Sequence, residues 1–147
     1  MLVCTRPSMS ILYHSYQTTI AGLGNLDGAA IKELYTYVVD LDLLVCGPQY
    51  WFYSPPLSGV FTLEIALPVE GYIPAALLPH FRQLPPFKCL SNRYQGSWEG
   101  LPGAYAEMIK HIQDNGLSMS GVRAESFLHI DRSAPENNIT EIQIGLF

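Results

Sequence analysis

Charge is scarce in this chain. Of its 147 residues, 14% are Asp, Glu, Lys or Arg, and only eight are basic. Those eight are scattered with no run. The clustered Lys/Arg face that a free-standing nucleic-acid binder needs against phosphates is therefore missing. The formal net charge of −5 suits cationic ligands and equally suits ordinary solubility. Cysteine is scarce too. Cys4, Cys46 and Cys89 make an odd set without a CxxC spacing, and His14, His80, His111 and His129 are spread along the chain. Neither a disulfide framework nor a metal centre is expected, and no motif asks for a cofactor. The cysteines read as small buried hydrophobes in a reducing compartment. No stretch approaches the roughly 18 apolar residues of a membrane span, and Met1 to Ser10 carry no long apolar signal core. The expectation is a soluble cytoplasmic protein without membrane contact.

Apolar residues are plentiful: 48% hydrophobic and 12% aromatic. A chain of this length buries roughly 68–70% of its unfolded surface, enough for one domain with a real core. The second half repeats the first. The run Gly47-Pro48-Gln49-Tyr50-Trp51-Phe52-Tyr53 matches Gly121-Val122-Arg123-Ala124-Glu125-Ser126-Phe127 at an offset of 74, from Gly47 to Gly121. The run Leu63-Glu64-Ile65-Ala66-Leu67 matches Thr140-Glu141-Ile142-Gln143-Ile144 at an offset of 77, from Glu64 to Glu141. A duplication of this size predicts one domain with a pseudo-twofold axis, and the seam between halves is a place for a pocket.

Residues 1–10 read as a loose leader. A first strand is expected from Ile11 to Ala21. Asn25 or Asp27 is placed to cap a helix starting near Leu26, with Ala30, Ile31, Leu34, Tyr35, Val38 and Leu41 at helical spacing. Strands follow at Gln49 to Tyr53 and Val60 to Val69, joined by a Pro-rich turn from Ser54 to Gly59. Residues 70–86 form a Pro-rich joint with room for a short helical turn at Ala75 to Arg82. The second half then reads as a strand at Phe87 to Gln95 and a helix within Ser97 to Asn115. Pro102 suits that helix's first turn and Gly116 its exit. A hairpin of Val122 to Ile130 and Ile139 to Phe147 closes the chain. Each half is strand–helix–strand–strand, over 11–69 and 85–147. The predicted fold class is α+β: a tandem strand–helix–strand–strand repeat with pseudo-twofold symmetry, its antiparallel sheet carrying two helices on one face.

The run Tyr94-Gln95-Gly96-Ser97-Trp98-Glu99-Gly100-Leu101-Pro102-Gly103-Ala104-Tyr105, followed by His111-Ile112 and Gly116-Leu117, resembles the GyrI-like (gyrase-inhibitor-like) domain, the bacterial transcription activator effector-binding domain. Glu125-Ser126-Phe127-Leu128 with Thr140-Glu141-Ile142-Gln143-Ile144 looks like that family's closing hairpin. The resemblance covers residues 11–147 as a single domain and is strong from Tyr94 onward. His111 stands where the family commonly has Trp, and Gly145 where it commonly has Pro. The resemblance implies an aromatic cleft between the repeats with a glutamate at its floor. It implies hydrophobic, often cationic, small molecules as ligands and a link to transcription regulation. Free-standing relatives bind small molecules or sequester a toxin or partner, and some hydrolyse strained electrophiles. With no room for a helix-turn-helix beside the repeat, this chain resembles the free-standing kind.

Glu125 is the sharpest candidate for the site. Period-two alternation groups it with Arg123, Phe127 and His129, and its repeat partners place Trp51 and Tyr53 on the same face. A carboxylate among aromatic walls holds a cation with help from ring faces, or acts as a general base once burial raises its pKa. Tyr94, Trp98 and Tyr105 are expected either to line the cleft or to fill the helix–sheet core. Glu64 and Glu141 alternate with core residues and are expected on an open sheet face. Glu99 suits the first turn of the second helix, and His111 and His129 read as structural. Three readings follow: a small-molecule binding protein, a hydrolase with Glu125 activating water, and a protein-interaction module with an unknown partner.

Overall fold

The computed structural model describes residues 1–26, 28–55 and 59–147. Asp27, one of the two expected helix caps, and residues 56–58 of the Pro-rich turn lie outside them. The first half comprises strands β1 (Leu2–Arg6) and β2 (Met9–Thr18), a 3₁₀ turn (Ala21–Asn25), helix α1 (Ala29–Asp40), and strands β3 (Leu44–Val45), β4 (Tyr50–Ser54) and β5 (Phe61–Glu70). A second 3₁₀ turn (Ala75–His80) leads to β6 (Phe81–Leu84) and β7 (Phe87–Gln95). Then come a third 3₁₀ turn (Trp98–Gly100), helix α2 (Leu101–Asp114), β8 (Met119–His129) and β9 (Ile139–Leu146).

The nine strands form one antiparallel sheet in the order β1-β7-β9-β8-β4-β5-β2-β6, with β3 also on β5. The core triplets are related by a twofold rotation, β2-β5-β4 against β7-β9-β8. They meet where Tyr50, Trp51, Phe52 and Tyr53 pair with Ser126, Glu125, Ala124 and Arg123. Trp51 and Glu125, repeat partners at the offset of 74, are also directly opposite each other. A residue meets its own equivalent in this way only on a twofold axis, so the pseudo-symmetry axis passes between them. Glu64 and Glu141 likewise hold corresponding places in β5 and β9.

Alternation along the strands separates the two faces. The odd residues of β5 and the even residues of β9 face the helices. Helix α1 buries Leu34 against Leu12, Leu67 and Val69, and α2 buries Met108 and Ile112 against Leu90, Ile142 and Ile144. Both helices thus lie on one face, one on each side of the axis. Their exits are equivalent as well. Gly116 takes φ 66° after α2, and its repeat partner Asp42 takes φ 53° after α1, a conformation that glycine adopts freely and Asp tolerates. The Tyr94 hydroxyl donates to the Ser97 carbonyl oxygen at 2.9 Å, and its ring packs on Gly96 and Gly100. A Cβ at Gly100 would fall 1.9 Å from that hydroxyl, so the turn into α2 requires glycine there.

Three expectations are corrected. Residues 1–10 are no loose leader: Leu2–Arg6 pair with Ser91 to Phe87 of the second half, and β2 already begins at Met9. Nor is the stretch 70–86 only a linker, because β6 within it pairs with β2. Each half therefore contributes its leading strand to the outer edge of the other. Both are edge strands paired on one side only, so neither carries the alternation that marks a core strand. The face away from the helices is also not open. Glu64 is buried, and Arg82 from β6 donates to its Oε1 at 2.7 Å. Arg6 of β1 lies over the rings of Tyr50, Phe52 and Phe87, at 4.8 to 5.3 Å, and donates to Gln143 Oε1 at 3.0 Å. Contact between β1 and β4, four places apart in the order, means that the sheet curls over this face.

Candidate ligand-binding site

Strands β4 and β8 flank the axis at the centre of the sheet, between the two helices. Their helix-side residues form the floor of a cleft of about 870 Å³, within the usual range for small-molecule sites. The floor carries Trp51 and Tyr53 from β4, Gln49 just ahead of that strand, and Arg123, Glu125 and Phe127 from β8. These are three repeat-related pairs: Gln49 with Arg123, Trp51 with Glu125, Tyr53 with Phe127. One wall comes from the first half through Ile20, Leu23, Leu26 and Ile31. The other comes from α2 and the turn before it, through Trp98, Leu101, Tyr105 and Ile109.

Glu125 is 6% exposed. The Tyr53 hydroxyl donates to its Oε1 and the Tyr105 hydroxyl to its Oε2, both at 2.7 Å. Burial pushes the Glu125 carboxyl above its ordinary range, while the two hydroxyls and the nearby Arg123 charge pull it back in part. Both phenols are pushed well above their ordinary values, first by their own burial and then by the Glu125 charge, so they remain protonated donors. The carboxylate is therefore fixed in position by two hydroxyls from opposite sides of the axis. Around it Phe127 meets Trp51 and Trp98 edge to face, with ring centroids 5.5 and 5.7 Å away. Ring faces beside a carboxylate are what stabilise an organic cation in a partly dry site.

Of the seven candidate residues, Glu125, Trp51, Tyr53, Trp98, Phe127 and Tyr105 line this one cleft. Tyr94 does not; it locks the turn into α2. Glu99 is exposed in the third 3₁₀ turn, ahead of α2. His129 leaves the floor because a bulge between Phe127 and His129 shifts the alternation, so Ile130 and Arg132 line the cleft mouth instead. The sequence reading missed Arg123 as a site residue, although its alternation with Glu125 is the signal that places it there. It also missed Gln49, the repeat partner of Arg123, and the apolar wall from Ile20 to Leu26. Among the described residues no group of three or more His, Cys, Asp or Glu side chains is placed to hold a metal ion. No helix among them is long and apolar enough to cross a membrane.

No protein-family model matches the sequence, and no curated protein matches it. Solved structures do. The crystal structure of the EcmrR C-terminal domain matches with a TM-score of 0.75 at 14% identity, over 99% of this chain and 96% of that one. SAV2435 bound to tetraphenylphosphonium matches with a TM-score of 0.64 at 19% identity, over 100% and 94%. A hydrolase encoded by lin2189 from Listeria innocua matches with a TM-score of 0.71 at 15% identity, over 99% and 91%. At these identities the likeness establishes the fold, and that fold is GyrI-like, as the sequence resemblance implied.

Proposed function

We propose that this protein binds hydrophobic organic cations in the cleft between its repeats, with Glu125 as the counter-charge. One observation carries the reading: a carboxylate on the floor of an aromatic-walled cavity, with both oxygens held by tyrosine hydroxyls. Such a group is costly to bury unless a partner charge arrives. The walls offer apolar area and ring faces; the floor offers one fixed negative charge. A flat or propeller-shaped aromatic cation satisfies both. SAV2435, similar in fold, is bound to a ligand of that kind, tetraphenylphosphonium, which supports the choice of probe. Isothermal titration tests the reading. Tetraphenylphosphonium should bind, its neutral relative triphenylphosphine oxide should bind far more weakly, and Glu125→Gln should erase most of the difference. Equal affinity for the charged and neutral compounds would defeat the proposal.

A second reading is favoured by the raised Glu125 carboxyl and by the hydrolase of similar fold. In it Glu125 takes a proton from water as the water oxygen bonds to a carbon of a strained electrophile such as an epoxide; the ring C–O bond breaks, the alkoxide it leaves takes the proton back from Glu125 to give the diol, and Tyr53 or Trp98 orients the substrate. Both carboxylate oxygens already accept a tyrosine hydroxyl, which suits a fixed charge better than a base that must reach water. Incubation with an epoxide and mass analysis for diol formation separates the two, since binding alone yields no product.

A further inference from the structure

The cleft holds more positive charge than negative. Its lining has one acid, Glu125, and two bases, Arg123 and Arg132. The ion pairs among the described residues are His14–Glu33, Arg82–Glu64 and Lys110–Asp114, so neither lining arginine is neutralised by one. Arg123 is only half-buried and lies with its guanidinium carbon 5.1 Å from the centre of the Tyr105 ring, the same ring whose hydroxyl holds Glu125. Arg132 stands exposed at the mouth. A ligand that is only a cation satisfies Glu125 but meets two like charges. Its repeat partner position, Gln49, shows that a neutral side chain fits the same place on the floor.

We infer that the cleft is built for amphoteric aromatic molecules, with the cationic part over Glu125 and an anionic group, such as a carboxylate, against Arg123. This rests on the cation-binding reading above and names its ligand class. Arg123 and Glu125 are two residues apart on one face of β8, a separation of about 6.6 Å. The two charges of the ligand should therefore be separated by a few bonds or one ring. Guanidinium is suited to the task because it offers a planar fork of donors to a carboxylate while its face rests on a ring.

Three probes of matched shape test this by isothermal titration at pH 7: pentyltriphenylphosphonium, a cation; (4-carboxybutyl)triphenylphosphonium, the same skeleton with a carboxylate; and 6,6,6-triphenylhexanoate, the anion with carbon in place of phosphorus. The pentyl compound is the more hydrophobic, so greasiness alone would favour it. The inference expects the carboxybutyl compound to bind at least about tenfold more tightly, as one charge-assisted contact allows. Arg123→Gln should reverse that order, and Arg123→Lys should restore part of it. If the pentyl cation binds in a Glu125-dependent way and the carboxylate brings no gain, this inference falls while cation binding stands. If neither phosphonium binds, or if the carbon anion binds as tightly as the zwitterion, the cation reading falls and takes the inference with it. Should Arg123→Gln fail to fold by circular dichroism, the wild-type order of the three probes decides alone.

Discussion

Glu125→Gln should move stability and binding in opposite directions. The wild-type carboxyl is buried and titrates above its ordinary value, with burial the largest cause. The sign follows from linkage. A group whose folded pKa is raised binds its proton more tightly in the folded state. Its contribution to stability is fully present below the unfolded pKa and is lost as pH rises through the folded one. At neutral pH the ionised carboxylate is thus a cost that glutamine removes. Glutamine keeps much of the geometry, since its oxygen accepts from one of Tyr53 and Tyr105 and its amide donates to the other hydroxyl. We expect a gain of about 0.5–2 kcal/mol, the scale found when a functional group held against stability is replaced. For a chain of this size that raises the melting temperature by about 2–4 °C per kcal/mol. The gain should be present at pH 7 and vanish below about pH 4, where the glutamate is protonated folded and unfolded alike. In the same variant, affinity for tetraphenylphosphonium should fall by about 1.5–3 kcal/mol, or roughly 10- to 150-fold. Calorimetric melts from pH 3.5 to 8, paired with titrations, measure both. A variant less stable than wild type at pH 7, with a gap that persists in acid, would show that Glu125 is a structural anchor and not a stored charge.

Tyr53→Phe and Tyr105→Phe each remove one donor to the carboxylate. Glu125 should then titrate higher in both, as followed by carboxyl carbon NMR, and cation affinity near pH 6 should fall by about 0.5–1.5 kcal/mol. Trp98 is 43% exposed at the mouth, so Trp98→Ala should change stability by no more than about 0.5 kcal/mol while weakening a cationic aromatic ligand by about 0.5–2 kcal/mol. Loss of fold in that variant would place Trp98 in the core. Leu34→Ala and Ile112→Ala should each cost about 2–5 kcal/mol in urea denaturation, because both side chains are buried under their helices. A loss below about half a kcal/mol would contradict the packing of that helix on the sheet.

The parts of the fold legible in the sequence are those where period and burial coincide. Phe61, Leu63, Ile65 and Leu67 alternate because β5 packs one face on α1, and Met108 and Ile112 recur because α2 turns one stripe to β7 and β9. The edge strands β1 and β6 were not legible. An edge strand is half-exposed and paired on one side only, so Leu2, Val3 and Gln83 are free of the pattern that marks a core strand. Their destinations are further from view still: pairing of Cys4 with Cys89 spans most of the chain, and nothing local encodes it. Within the site, Glu125 and its aromatic neighbours were legible through alternation on two strands. The role of Tyr105 was undecided, because a helical stripe residue near the sheet serves core and cleft alike. Only the position of α2 relative to the axis aims its hydroxyl at Glu125.

The twofold axis explains why the site is asymmetric in charge. Positions 51 and 125 are opposite each other across it, so any residue placed there meets its own equivalent. Two glutamates would set like charges side by side in a buried spot, and one would stay protonated. Two tryptophans would fill the floor and leave nothing to hold a charge. One of each leaves a single carboxylate with an aromatic face as its neighbour. The same division runs through the other pairs. Gln49 stands where the second half has Arg123, and Ile31 stands where it has Tyr105, whose hydroxyl completes the hold on Glu125. The first half thus contributes apolar wall, Trp51 and one hydroxyl from Tyr53, while the second contributes both floor charges. Symmetry builds the cavity, since equivalent helices leave a gap over equivalent strands. The departures from symmetry at 49/123, 51/125 and 31/105 give that cavity its polarity, and with it a direction in which a ligand bearing unlike charges must lie.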